Sequence, residues 1–238
     1  MAHWHPILAV LSVVLAGYAL VCLVFTGLGL LITHDLGGLT RWDDSVNRWF
    51  AGHRTSSTND WTASATKVAD TMGIVVVLLV AVIVLFVLHH RWSALLLLTA
   101  VGVELVAFLT VYKFVGRPRP DVPRLGSLPS TSSFPSGHTA VMVVLYGGLA
   151  VIIAARFHAR VVALISWLVV VAATVAVGFG RVYRGMHHPS DVVAGALLGL
   201  AVLGVAVVAV RMGRMALAAR RQPPVVDPTA PSQVEVSS

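Results

Sequence analysis

Six strongly apolar runs constrain this chain more than any single residue does. They lie at residues 7–32, 73–88, 92–111, 139–155, 161–179 and 192–210. A bilayer's hydrocarbon core is about 30 Å thick, and ~20 apolar residues cross it as an α-helix. Inside that core each main-chain polar group needs an internal partner, so only helices and closed barrels can span it. Long continuous apolar runs, without strict alternation, are helical. The expectation is an all-α integral membrane six-helix bundle forming one domain over residues 1–212. The second run is the shortest and leaves little room for tilt.

Composition narrows the partners. The chain is 57% hydrophobic and 11% charged, well outside the ordinary soluble range. Its one cysteine, Cys22, sits inside the first run, which excludes a disulfide framework or a cysteine metal site and leaves a small buried hydrophobe. A net charge of +7 would suit nucleic acid if the cations formed one solvated patch. They stand instead at the ends of apolar runs, which fits a bilayer and phosphate-bearing lipids. Phosphorylated lipid and membrane are therefore the expected partners, and nucleic acid is not.

The first run is about twice a signal peptide's apolar region and is preceded by Met-Ala-His-Trp-His, without a cation. It is expected to stay as the first span. Six spans place both termini on one side with Arg91, Arg156, Arg160, Arg211, Arg214, Arg220 and Arg221. By the positive-inside tendency that side is the cytoplasm, and the Ala/Val/Arg-heavy usage suggests that the membrane is bacterial. The opposite side holds ten of the seventeen Lys and Arg residues, six of them in the two loops discussed below.

Three other features frame the bundle. In the connection 34–72, Trp42, Val46, Trp49 and Phe50 recur at helical spacing among Arg41, Asp43, Asp44 and Arg48. That pattern reads equally as a short amphipathic helix in the interface or as a solvated loop. Glu104 lies mid-span in the third run, where an acid is costly and faces the bundle interior. Residues 213–238 begin with Arg214, Arg220 and Arg221 and turn Pro/Ser/Val-rich, a basic anchor followed by a disordered tail.

Chemistry gathers on the face opposite the termini. The loop 113–138 begins with Lys113, Arg117-Pro118 and Arg119-Pro120. Guanidinium forks match phosphate oxygens, lysine adds a point charge, and the prolines hold the chain off a helical path. Such a run is also an ordinary basic membrane-edge loop. The loop ends in Pro135-Ser136-Gly137-His138, just before the fourth span. Ser136 suits an N-cap, Gly137 permits close backbone approach, and free N–H groups at a helix start bind anions. A capping turn with an incidental histidine fits equally well.

The third cluster runs from Arg181 through Arg184 to His187, His188 and Asp191. Pro189 suits a first helical position, so Asp191 could cap that helix. Alternatively its carboxylate holds one nitrogen of His187, fixing the tautomer and raising nucleophilicity. His188 is the weaker candidate because it faces another side of any helix.

Together these clusters resemble the type 2 phosphatidic acid phosphatase family, also called the PAP2 or lipid phosphate phosphatase family, whose fold is shared with vanadium haloperoxidases. That family shows a lysine followed by Arg-Pro, then Pro-Ser-Gly-His, then Ser-Arg with five residues to a His and three more to an Asp. Here stand Arg119-Pro120, Pro135-Ser136-Gly137-His138, and Arg181, His187 and Asp191 at that spacing. The resemblance covers roughly residues 73–210. Two positions depart from it. Lys113 has five residues before Arg119 where the family has six, a rotation of about 100° on a helix, and Gly180 replaces the serine.

The resemblance implies a metal-independent lipid phosphatase without cofactors, working through a phosphohistidine. His187 is then the nucleophile, Asp191 its orienting carboxylate, and His138 the acid and base. Lys113, Arg119, Ser136, Gly137 and Arg181 bind phosphate, with Arg117 and Arg184 as accessory cations. The membrane setting points to a polyprenyl (undecaprenyl-type) diphosphate, or else phosphatidylglycerophosphate or phosphatidic acid, on the extracytoplasmic face. A phosphate-gripping transporter without catalysis is the different-class alternative, and a vanadate haloperoxidase the same-pocket one.

Overall fold

The computed structural model describes residues 6–126 and 132–220. The expectations for residues 1–5, part of the 113–138 loop, Arg221 and the tail beyond lie outside these. The described chain is all-helical: α1 (Pro6–His34), α2 (Gly37–Gly52), α3 (Ser56–Lys67), α4 (Thr71–Val87), α5 (Arg91–Val115), α6 (Gly137–Val141), a π-helical turn (Met142–Tyr146), α7 (Gly147–Phe157), α8 (Arg160–Tyr183) and α9 (Pro189–Arg220). Five segments are long and apolar enough to cross a membrane alone: α1, α5, α6 through α7, α8 and α9. The sixth is α4, short at 17 residues, which joins α3 at a 40° bend. This is an integral membrane protein with the bundle anticipated from its apolar runs.

Every span except α4, which stops at Val87, overruns the end of its apolar run, because helices continue until a capping or chain-breaking residue stops them. Gly116, at φ +62°, ends α5 four residues past the run, its N–H bonding to the Tyr112 carbonyl; glycine enters the left-handed region at no steric cost. α9 runs ten residues beyond its expected end. Its 32 residues give a length of ~48 Å, more than a bilayer core, so the stretch with Arg211, Arg214 and Arg220, expected as a basic anchor, is a helical extension of the last span.

The core is the packing of α1, α5 and α9. Val21 and Phe25 of α1, Ala107 and Val111 of α5, and Leu198, Val202 and Ala206 of α9 are buried in one cluster, with Cys22 partly buried against it. Small residues set the helix separations, as they must where lipid removes the hydrophobic drive between spans. A Cβ on Gly17 would sit 2.5 Å from Val205. Glu104 is buried within the bundle, as the cost of an acid in hydrocarbon demands. Leu79, Ile83, Leu164, Leu168 and Val175 point outward, where lipid would cover them.

The 34–72 connection is two helices, not a loop. α2 is amphipathic, but its protein-facing side is the polar one. Asp43 and Asn47 are fully buried while Trp42 and Trp49 are more than half exposed. Phe50 meets the rings of Phe179 and Tyr183 edge-on, seating α2 on the end of α8.

Candidate active site

Loops distant in sequence meet where α5, α6, α8 and α9 end on one side. The two limbs of the 113–138 loop are tied by the Ser133 N–H donating to the Arg117 carbonyl at 2.8 Å and by the Ser133 hydroxyl donating to Pro118 O at 2.9 Å. The Pro-Ser-Gly-His turn reaches the head of α9, with the Ser136 N–H bonding to Asp191 O at 3.0 Å. Glycines make that approach possible. A Cβ on Gly195 would lie 2.3 Å from Ser136 O, and one on Gly199 2.6 Å from Ala140 O. The Gly195-x-x-x-Gly199 face of α9 is thus a seat for α6.

His187 sits between these pieces. Its Nδ1 lies 2.7 Å from the Ser133 carbonyl oxygen. A carbonyl only accepts, so Nδ1 carries the proton and Nε2 keeps its lone pair. Burial first, and then the charge of Arg181, holds the His187 pKa well below the ordinary histidine value, against the pull of Asp191. The imidazole is therefore neutral at physiological pH.

Asp191 does not hold His187 directly: its Oδ2 is 3.9 Å from Nδ1, beyond a hydrogen bond. It is bound elsewhere. Oδ1 accepts from the Arg117 guanidinium at 2.5 Å, while Oδ2 accepts the His188 N–H at 2.8 Å and lies 3.1 Å from His188 Nδ1. The capping reading and the histidine-holding reading were both open in sequence. The structure makes Asp191 a first-turn anchor of α9 whose histidine partner is His188.

Arg181, in the last turn of α8, is buried, and its Nε has no hydrogen-bond partner among the described residues. An unpaired buried guanidinium N–H is costly unless an anion meets it. Arg119 donates to the Met186 carbonyl at 2.5 Å. Burial lowers its pKa from the usual value, with Tyr112 and Asp191 pulling back. Both arginines lie within electrostatic range of His187 and of His138, so the two histidines share one cationic neighbourhood. His138 is partly exposed, with Nε2 3.2 Å from Asp70 Oδ1 at the head of α4. The carboxylate-paired histidine of the motifs is thus His138, and Asp70 was not foreseen.

Three expected cations are placed differently. Lys113 is exposed on the last turn of α5. The residue six positions clear of Arg119 is Tyr112, close enough for Arg119 to feel it. Arg117 is no accessory surface cation: 1% exposed, it bridges Asp191 and Asp43, the latter at 2.7 Å. Arg184 donates to Asn59 O at 3.1 Å and to Thr62 Oγ1, tying α8 to α3.

α2 supplies the residues that sequence reasoning missed. Asp43 accepts from the Ser190 N–H at 3.0 Å and from the Ser190 hydroxyl, capping the start of α9. Asn47 donates to Val182 O and His187 O. Asp44 Oδ1 is 3.4 Å from His188 Nε2. Arg54, just after α2, donates to Tyr183 O at 3.0 Å and Pro123 O at 2.6 Å. A discernible sign was the four-residue spacing of Asp43 and Asn47, opposite the tryptophans.

The family model described as the PAP2 superfamily matches residues 93–214. Phosphatidylglycerophosphatase B of Bacillus subtilis (strain 168) is 31% identical over 121 residues, covering 49% of this chain and 57% of its own length. Bacitracin transport permease protein BcrC of Bacillus licheniformis is 40% identical over 81 residues, covering 34% of this chain and 35% of its own. The chain thus spans about half or less of the length of these curated relatives. Among solved structures, the transmembrane PAP2-type phosphatidylglycerolphosphate phosphatase of Bacillus subtilis superposes with a TM-score of 0.71 at 22% identity, over 78% of this chain and 92% of that one. Aquifex aeolicus LpxE superposes with a TM-score of 0.51 at 24% identity, over 73% and 93%. At these identities the likeness shows the fold.

Proposed function

The chain belongs to the PAP2 superfamily, and from that premise we propose that it is a membrane-embedded lipid phosphatase acting through a phosphohistidine. The observation that carries this is the His187 imidazole, protonated on Nδ1 by its bond to Ser133 O and neutral beside Arg119 and Arg181. That arrangement leaves Nε2 as a nucleophile within electrostatic range of Arg181, whose buried Nε has no hydrogen-bond partner among the described residues.

The first step forms a bond from His187 Nε2 to phosphorus and breaks the phosphorus–oxygen bond to the leaving group. His138 gives that oxygen its proton. In the second step His138 takes a proton from water, whose oxygen attacks phosphorus, and phosphate and free His187 result. Arg119, Arg181 and the N–H groups of Ser136 and Gly137 stabilise charge on the equatorial oxygens. Asp70 orients His138, and Asp191 acts at one remove, holding Arg117 and His188. Lys113 reaches a bound phosphate only by extending from the exposed end of α5.

The substrate class is a lipid phosphomonoester or diphosphate. Reasoning from sequence put a polyprenyl diphosphate first, whereas the relatives' names favour phosphatidylglycerophosphate. The site faces the extracytoplasmic side of a bacterial membrane with both termini cytoplasmic, a reading supported by the arginines of the opposite ends. Likeness to a protein named a transport permease supports a second reading, binding without cleavage; the two histidines weigh against it, since cations alone suffice for binding.

The test is phosphate release by purified protein from polyprenyl diphosphate, phosphatidylglycerophosphate and phosphatidic acid. His187→Ala and His138→Ala should each lose at least ~10²–10⁴-fold in rate while keeping the wild-type melting curve in detergent. Near-normal turnover by the His187 variant would remove the nucleophile and the mechanism with it.

A further inference from the structure

Beneath the His138 end of the site, the seam between α7 and α8 opens into a cavity of about 420 Å³, within the ~300–1,000 Å³ of small-ligand sites. Met142 and Tyr146 of the π-helical turn, Ala150 and Ile153 of α7, and Ile165 and Ala173 of α8 form its walls. A π turn is wider than an α turn and recurs at functional sites. Here it faces Ala173 of α8 across the seam, and Ala150 follows it on α7, so two small side chains leave the space unfilled.

The lining contains two hydroxyls, and both are occupied. Tyr146 donates to Val68 O at 3.2 Å and Ser166 to Val162 O at 2.8 Å. No polar group is left to bind a headgroup, so the cavity suits hydrocarbon. Its position decides whose hydrocarbon. Met142 is one helical turn from His138, and Val68, also in the lining, is two residues from Asp70, the His138 partner. From Met142 the lining follows the helix to Ile153, a distance of ~16 Å at 1.5 Å per residue, directed away from the cationic site.

We propose that this seam holds the upper part of one hydrocarbon tail of the phosphorylated lipid whose headgroup lies between His138 and His187. The inference rests on the phosphatase reading for its headgroup and adds where the tail is read. An anion held by Arg119 and Arg181 and an apolar chain in the α7–α8 seam are then two ends of one ligand. Chain binding in the seam adds affinity without touching the reacting atoms, so it lowers KM.

The test uses the full chain in detergent, with Ala173→Leu and Ala150→Leu to fill the seam. For dioleoyl phosphatidic acid, KM should rise about tenfold or more, while kcat/KM for p-nitrophenyl phosphate, which has no tail, stays at the wild-type value. Equal loss on both substrates, or loss on neither, overturns the proposal. A second measurement needs neither turnover nor a variant: phosphatidic acid with a diazirine near the top of its acyl chain is photolysed on the wild-type protein. Crosslinks within 142–153 and 165–173, competed by unlabelled phosphatidic acid and not by phosphatidylcholine, support the seam. Labelling spread evenly over the lipid-facing helices overturns it. Seam labelling in a protein that releases no phosphate would sink the phosphatase reading and leave the tail site standing.

Discussion

The Nδ1 of His187 rests 2.7 Å from the carbonyl oxygen of Ser133, so the tautomer of the central histidine is set by main chain rather than by a carboxylate. The Ser133 backbone is itself held to Arg117 O at 2.8 Å. The loop that carries the first two motifs therefore positions the histidine of the third.

That bond leads to a pH prediction. Burial and the neighbouring Arg181 depress the His187 pKa, so the nucleophile stays neutral as pH falls through the ordinary histidine value of ~6.5. The acidic limb of kcat/KM belonging to His187 should lie below that value. Stability follows the same sign: the unfolded chain binds the extra proton first, so this contribution is complete above pH ~6.5 and declines toward the lowered folded pKa. A pH–rate profile alongside melting temperatures checks both, and an acidic limb centred above pH 7 contradicts the neutral, buried imidazole.

Asp43→Ala should destabilise the protein. It removes one carboxylate from buried Arg117 and the cap from the first turn of α9. Breaking a buried pair costs ~3–5 kcal/mol, and the lower end applies because Arg117 keeps Asp191. Thermal unfolding in detergent measures it. Asp43→Asn retains an acceptor for Ser190 and should recover part of the loss.

Asp70→Asn tests the pairing with His138. Asp70 is more than half exposed, so unfolding should change little. The expected loss is in kcat rather than KM, up to ~10²-fold if the carboxylate orients the proton donor. An unchanged kcat would mean that the 3.2 Å contact does not act in the reaction.

Lys113→Met should leave kcat within about threefold of wild type, because Lys113 points from an exposed turn while Tyr112 occupies the position beside Arg119. Arg181→Lys should cost far more, since a point charge cannot replace a planar fork. Steady-state kinetics on one lipid phosphate separates the two. Comparable losses would place the lysine on the phosphate after all.

Gly195→Val is expected to damage both fold and activity. Its Cβ would fall 2.3 Å from Ser136 O, a main-chain atom that cannot swing aside. α6 would be pushed off α9, carrying Ser136, Gly137 and His138 out of register with His187. Gly204→Ala, in the same helix with open space around it, is the control and should melt and turn over normally.

Long apolar runs, the three motifs and their chemistry were legible in the chain because each depends on local order. A run of ~20 apolar residues must be a span, and Pro189 suits the start of α9. The spacing of Trp42, Val46, Trp49 and Phe50 left helix and loop equally open for α2, and the structure makes it a helix. What remained hidden was which partner each polar group would find. Asp43 meets Arg117 across 74 residues and Ser190 across 147, and the Ser133 carbonyl rather than Asp191 accepts the hydrogen bond of His187 Nδ1. Hydrogen bonds are short-ranged and directional, so their pairing depends on ångström-scale placement of helix ends. Sequence determined which residues arrive at the membrane surface, and only packing in three dimensions decided which of them touch.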